Sequence, residues 1–240
     1  MTAQMRDLAG TVVVVTGAGA GIGASVTSQL LDAGARVVAA DLRPGTAAND
    51  RLVPCAVDVG DPQACRDAVA AGVAAWGRVD SVVANAGVFF FGGLLDYSAE
   101  QAARMVQTNL LGTIWLARAA LEHYRTRAGG GDIVITASVA GLGMASGLEA
   151  VYGASKAGQL QFAQSLDREV RHEGIRVSVV APAAVNTGFA AATGRFGDLP
   201  FEQGPYLDPD VVADAIVTCL RQPRTLRTAL WQLHSLAEEL

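Results

Sequence analysis

The sequence predicts an α/β fold, a doubly wound parallel sheet with helices on both faces, built as a single domain over residues 1–240. Three observations carry that class. Short β-branched runs alternate with longer alanine-rich stretches of helical character, an order that implies right-handed crossovers between parallel strands. The apolar runs are continuous instead of alternating with polar residues, which suits strands covered on both faces. A glycine-rich turn follows directly on the first run, at the strand-to-helix junction where such sheets bind phosphates.

Taken in order, residues 12–15, 36–40, 52–57, 79–84, 132–137 and 175–180 read as strands. Helices fill the intervals, and several declare their starts. Asp61-Pro62 and Asp208-Pro209 each place an N-cap carboxylate before a proline suited to the first turn. Ser98-Ala99-Glu100-Gln101 is a capping-box pattern. No repeat, low-complexity run or linker suggests a domain cut. The least regular stretch, residues 187–207, holds six glycines and prolines and four aromatics, and is expected to be a mobile lid over a site.

Composition narrows the function classes. With 51% hydrophobic and 17% charged residues over 240 positions, the chain can bury a sizeable core. A formal charge of −5 argues against a nucleic-acid surface. The three histidines are scattered, so no metal site is expected. Cys55, Cys65 and Cys219 form no Cys-x-x-Cys pair and fit a reduced interior, where packing is their expected role and the cytoplasm the expected location. No apolar run approaches the ~20 residues that span a bilayer, and residues 1–10 are polar and mixed, so no membrane partner is expected.

The turn reads Thr16-Gly17-Ala18-Gly19-Ala20-Gly21-Ile22-Gly23. Its glycines let the backbone turn sharply and approach a pyrophosphate at the positive end of the following helix. Two spacings are present, Gly19-x-Gly21-x-x-Ala24 and Gly17-x-x-x-Gly21-x-Gly23; a ligand-free tight turn is the plain alternative to either. Asp41 closes the second strand, 18 residues beyond Gly23. A carboxylate there accepts hydrogen bonds from ribose hydroxyls and repels a 2′-phosphate, which favours NAD over NADP. Arg43, two residues on, could swing towards such a phosphate.

Tyr152 and Lys156 stand four apart and share a helix face. A free tyrosine has a pKa of about 10 and is a poor acid–base group near neutrality, so a neighbouring cation that favours the phenolate makes it useful. Alone, that spacing is more often a half-buried tyrosine beside a solvated lysine. Ser138, Asn109 and Asn85 have equally ordinary readings as a strand-end hydroxyl, a buried amide and a turn residue.

Together these residues resemble the short-chain dehydrogenase/reductase family. The likeness runs nearly the whole chain, from Thr16-Gly17-x-x-x-Gly21-x-Gly23 through Asp58-Val59, Asn85-Ala86-Gly87 and Asn109 to Ser138, Tyr152, Lys156 and the stretch from Pro182 to Thr187. It implies a Rossmann-type sheet of about seven strands. It also implies a cofactor site made by Gly17, Ala20, Gly21, Ile22, Gly23 and Asp41, with Asp58 and Val59 at the adenine and Asn85, Ala86 and Gly87 bracing the sheet. Pro182, Val185 and Thr187 complete that set, Thr187 facing the nicotinamide carboxamide. By the same likeness Tyr152 is the acid–base residue, Ser138 bonds the substrate oxygen, and Lys156 holds the nicotinamide ribose while lowering the tyrosine pKa. Asn109 positions a water that relays the proton. A homodimer or homotetramer is implied, with Leu160, Phe162 and Leu166 of the Tyr152 helix and Leu226, Leu230, Trp231 and Leu233 of the tail as contacts; packing within the chain is the alternative.

Two departures stand out. Ser138 precedes Tyr152 by 14 residues, one more than the commonest family spacing, and three glycines are available to absorb the insertion. Pro182-Ala183 replaces the usual Pro-Gly, and alanine takes a positive φ only at a cost. For the substrate, Phe89, Phe90, Phe91, Leu142, Met144, Phe189 and Phe196 would make an apolar wall, with Glu149 the one acidic residue nearby. At least one of the adjacent phenylalanines is expected to face the core, because strand neighbours point to opposite faces. An apolar secondary alcohol or ketone is the expected small-molecule substrate. An NADPH-dependent 3-oxoacyl reductase and a non-catalytic dinucleotide sensor or scaffold are the rival readings.

Overall fold

The valines of the first strand sort by parity. In the computed structural model, which describes residues 4–191 and 206–237, Val12 and Val14 of β1 (Val12–Thr16) join one buried cluster, while Val13 and Val15 join another. Side chains of a strand alternate between faces, so two separate cores demand cover on both sides of the sheet. The helices α2 (Pro62–Trp76), α4 (Gly112–Tyr124) and α5 (Ala150–Val170) supply it on the first side through Cys65, Leu116, Leu160 and their neighbours. On the other side α1 (Gly21–Asp32) and α7 (Pro209–Arg221) bring Val26, Leu30, Ile216 and Leu220.

The sheet has seven strands in the order β3-β2-β1-β4-β5-β6-β7. The remaining strands are β2 (Arg36–Asp41), β3 (Leu52–Ala56), β4 (Ser81–Ala84), β5 (Gly131–Thr136), β6 (Ile175–Pro182) and β7 (Leu230–Leu233). Every pairing is parallel. The order reverses between β1 and β4, and at such a switch point the carboxyl ends of strands open a crevice. Asn85 braces it: its side-chain amide donates to Thr16 O at 3.1 Å, and its backbone N–H donates to Thr16 Oγ1 at 3.1 Å.

The helix starts follow the predicted chemistry. Asp61 and Asp208 accept from Gln63 N and Asp210 N. Ser98 and Gln101 close a capping box on α3 (Ala99–Met105). Several expectations need correction. β3 is only half-buried because it lies at the sheet edge, with Cys55 against the first core and Leu52 against the second, and Pro54 fits there because an edge strand leaves one row of N–H groups unused. β4 begins two residues late, because Val79 N donates to His123 Nε2 and falls outside the ladder. β6 runs on to Pro182, where it pairs with β7, a strand with alternating exposure that the apolar-run criterion passed over. Leu160 and Leu166 are buried within the chain, and Trp231 and Leu233 pack on the second core.

Of the expected lid, 187–207, residues 192–205, and with them Phe196, lie outside the described residues. Its flanks are clamped together, since Val185 bridges Leu207, Asn186 N donates to Leu207 O, and Leu207 N donates to Ala184 O. A short helix, α6 (Gly188–Ala191), opens the excursion. Among the described residues, no helix is long and apolar enough to cross a membrane, and no group of three acidic, cysteine or histidine side chains could hold a metal.

Candidate active site

A cavity of about 280 Å³ opens at the carboxyl ends of the strands. From β1 and α1 it takes Gly17, Ala20, Gly21 and Ile22; from β2, Asp41; from the end of β4, Asn85, Ala86, Gly87 and Phe89. Thr136, Ala137 and Ser138 follow β5, Tyr152 and Lys156 face in from α5, and Pro182 through Val185 with Thr187, Gly188 and Phe189 close the far side.

The glycine turn uses the Gly17-x-x-x-Gly21-x-Gly23 spacing. Gly17 and Gly21 have φ of +67° and +51°, a region that side chains disfavour, and a Cβ on either would lie 2.9 Å from Ala86 Cα or Thr187 Cγ2. Gly23 has a different duty: a Cβ there would sit 2.0 Å from Gly17 O, so it permits close packing of helix on turn and does not line the cavity. Ala20 caps α1 without a side-chain hydrogen bond, which leaves first-turn N–H groups for a ligand. Backbone donors, a helix N-terminus and room where side chains would intrude suit a dinucleotide pyrophosphate.

Asp41 stands above this turn, its Oδ2 accepting from Gly19 N at 3.0 Å and its Oδ1 from Arg43 N at 2.9 Å. Both bonds fix the orientation of the carboxylate at its end of the cavity. Arg43 and Leu42 are exposed and outside the lining. Asp58 is exposed and Val59 buried, and neither lines the cavity; Asp58 Oδ1 accepts from Gly60 N, and Val57 N donates to Asp41 O, which sets this pair beside the Asp41 end.

Lys156 is almost fully buried and donates to Thr136 O at 3.0 Å, with Nζ 5.7 Å from the Tyr152 ring centroid. Burial pulls its pKa down from the ordinary 10.5 to about 7. The unfolded chain therefore binds one more proton than the native chain between pH ~7 and ~10, and stability must rise with pH across that window. Relative to Lys156→Met, the wild type should gain up to about 1.4 kcal/mol per pH unit over it. Urea denaturation at pH 7 and pH 9.5 checks this; parallel stability curves would refute it.

Asn109 lies fully buried on a π-helical turn, Val106–Leu111, between α3 and α4. Its Oδ1 accepts from Val88 N at 2.8 Å, and its Nδ2 donates to Val88 O and Ser155 Oγ, both at 3.0 Å. It does not line the cavity, but a Cβ on Gly87 would come within 3.2 Å of Asn109 Oδ1 and 3.9 Å of Lys156 Nζ. Gly87 thus lets the chain pass close to the Asn109 amide. Ser138 is buried, lines the cavity and accepts from Ala140 N at 3.2 Å as the cap of a 3-10 turn, Val139–Leu142. The inserted residue falls in the loop from there to α5, where Gly143 has φ +88°.

No described non-glycine residue has a positive φ, and Ala183 N donates to Leu233 O at 2.9 Å, so β7 and not a glycine turn fixes this corner. The substrate wall also needs revision. Phe89 and Phe189 line the cavity, whereas Phe90 and Phe91 do not, Leu142 packs on the first core and Met144 is exposed. Glu149 is buried at the cap of α5 and outside the lining. The residue missed from sequence is Thr136. It acts through a backbone carbonyl, which no side-chain pattern reveals, although its place at a strand's carboxyl end was a positional clue.

Residues 11–196 match the family model described as short chain dehydrogenase. An uncharacterized oxidoreductase of Staphylococcus epidermidis is 32% identical over 218 residues, 88% of this chain and 91% of that protein. Two solved structures, each 26% identical, are similar in fold. A 3-ketoacyl-(acyl-carrier-protein) reductase from Brucella melitensis complexed with NADH has a TM-score of 0.83, over 94% of this chain and 96% of that one. A serine dehydrogenase complexed with NADP+ has a TM-score of 0.86, over 96% and 97%.

Proposed function

The chain belongs to the short-chain dehydrogenase/reductase family, and from that premise we propose that this nicotinamide-dependent oxidoreductase interconverts an apolar secondary alcohol and its ketone, preferring NAD to NADP, with Tyr152 as the acid–base group. The observation that carries the reading is the meeting of Ser138, Tyr152 and Lys156 in one cavity that continues to the glycine turn and Asp41. The cofactor supplies the hydride acceptor or donor. The turn and the start of α1 bind its phosphates, Asp41 accepts from ribose hydroxyls, Asp58 and Val59 border the adenine end, and Pro182, Val185 and Thr187 border the nicotinamide end. Ser138 donates to the substrate oxygen as negative charge develops on it. In oxidation Tyr152 Oη takes the hydroxyl proton; in reduction it returns that proton to the carbonyl oxygen. Lys156, anchored on Thr136 O, bonds the nicotinamide ribose and supports the phenolate. Asn109 helps position a water that relays the proton to solvent.

Cofactor choice is tested at Asp41. Asp41→Asn should lower kcat/KM with NAD by about tenfold, the scale of one charge-assisted hydrogen bond, and narrow the NAD to NADP ratio. A wild type that strongly prefers NADPH would overturn the role of Asp41 and promote the 3-oxoacyl reductase reading. Tight NADH binding without turnover of any alcohol would favour a sensor. A homodimer or homotetramer in the cytoplasm completes the proposal. Leu94, Leu95 and Val106 are exposed apolar residues that self-association would cover, with light scattering as the check.

A further inference from the structure

The reacting end of the cavity is more specific than an apolar wall. Phe89, Phe189 and Tyr152 stand as a triangle of rings, with centroids 4.5 Å apart for Phe89 and Tyr152, 6.1 Å for Phe89 and Phe189, and 6.5 Å for Tyr152 and Phe189. The two phenylalanine rings are inclined by only 25°, so they present nearly parallel faces beside the proposed proton-transfer group. Both line the cavity, and Phe189 is 41% exposed. Aliphatic side chains would have met a need for apolar surface alone, whereas faces and edges within 7 Å of each other add the directional attraction of aromatic quadrupoles. Among the described residues, the charged groups lining the cavity are Asp41 and Lys156. Asp41 lies at the glycine turn, and Lys156, with Nζ 5.7 Å from the Tyr152 ring centroid, is already engaged on Thr136 O, so among the described lining residues neither phenylalanine adds a charge to the reacting end.

We infer that the substrate is a neutral secondary alcohol or ketone carrying a planar aromatic ring close to the reacting carbon, and that Phe89 and Phe189 are its specificity-determining residues. This rests on the alcohol–ketone reading above. The substrate ring lies against Phe89 and Phe189 while its oxygen reaches Tyr152 Oη. A saturated ring is of similar size but puckered and without a π face, so it keeps the hydrophobic contribution and loses the stacking.

Phenylacetone and cyclohexylacetone make the test, because a methylene insulates the carbonyl from the ring in both and leaves intrinsic reactivity matched. With NADH, kcat/KM should favour phenylacetone by about tenfold, equivalent to ~1.4 kcal/mol. Phe89→Leu and Phe189→Leu should each pull that ratio towards one. Phe90→Leu, at a residue that does not line the cavity, should leave it in place. Equal kcat/KM for the two ketones, or a preference that persists in both leucine variants, would overturn the inference and reduce the rings to packing on one another. Should neither ketone be reduced, the alcohol–ketone reading fails, and ring recognition is read separately from thermal shifts of the NADH-loaded protein. A larger shift with phenylacetone upholds the aromatic site, and equal shifts overturn it.

Discussion

Tyr152→Phe should bind NADH as the wild type does and lose turnover by ~10² or more, the size expected when a positioned acid–base group is removed. The substitution deletes one oxygen and keeps the ring, so the aromatic contact with Phe89 at 4.5 Å and the buried cluster with Met105 and Ala140 survive. The loss should therefore fall on kcat, with NADH affinity, read by fluorescence titration, within about twofold. Undiminished turnover would remove Tyr152 from the proton-transfer step. A parallel collapse of NADH binding would show that the phenol shapes the nicotinamide end of the cavity.

Asp132→Asn should lower stability by about 3–5 kcal/mol, the range for removing one partner of a buried ion pair. For a chain of this size that is a fall in Tm of about 6–20 °C. Asp132 is 3% exposed at the amino end of β5, opposite the cavity, and three guanidinium groups converge on it. Arg176 Nε and Arg224 Nη1 donate to Oδ1 at 2.6 Å, and Arg6 Nη1 donates to Oδ2 at 2.9 Å. Arg176 also donates to Gln222 O, Pro223 O and Leu226 O, and Arg6 to Leu220 O. One carboxylate thus ties the amino-terminal segment, β5, β6 and the segment between α7 and β7. Neutralising it leaves Arg176 buried without its counter-charge, and retained hydrogen bonds cannot offset that. Calorimetry gives the answer, and a fall in Tm below about 2 °C would mean that solvent or other acceptors satisfy the arginines.

Legibility differed by the kind of signal. The caps of α2, α3 and α7 could be read directly because a cap is a contact between residues two or three apart. The glycine turn and Asp41 could be read because each ends a strand whose apolar run marks it. β7 escaped because an edge strand with alternating exposure has no continuous run, and its partner β6 lies about fifty residues earlier. Phe89 and Phe90 are neighbours packed against the same cluster of Met105, Ala140 and Tyr152, yet only Phe89 of the two lines the cavity, which residue type alone does not reveal. At Ala183 the local sequence points to a glycine-type turn, whereas a hydrogen bond to Leu233, from the other side of a crossover, sets its conformation.

By itself, the sequence determined the layered fold, the glycine turn after the first strand and the four-residue spacing of Tyr152 and Lys156, since those depend on local periodicity, backbone freedom and residue type. Tertiary structure alone decided that Lys156 rests on a carbonyl with its pKa pulled down by burial, that Gly87 runs close to the Asn109 amide, and that two phenylalanines join Tyr152 as an aromatic wall. The physical reason is that desolvation, close approach and ring geometry are properties of what surrounds a residue. Those surroundings come from segments distant in the chain, brought together only by the folding of the sheet.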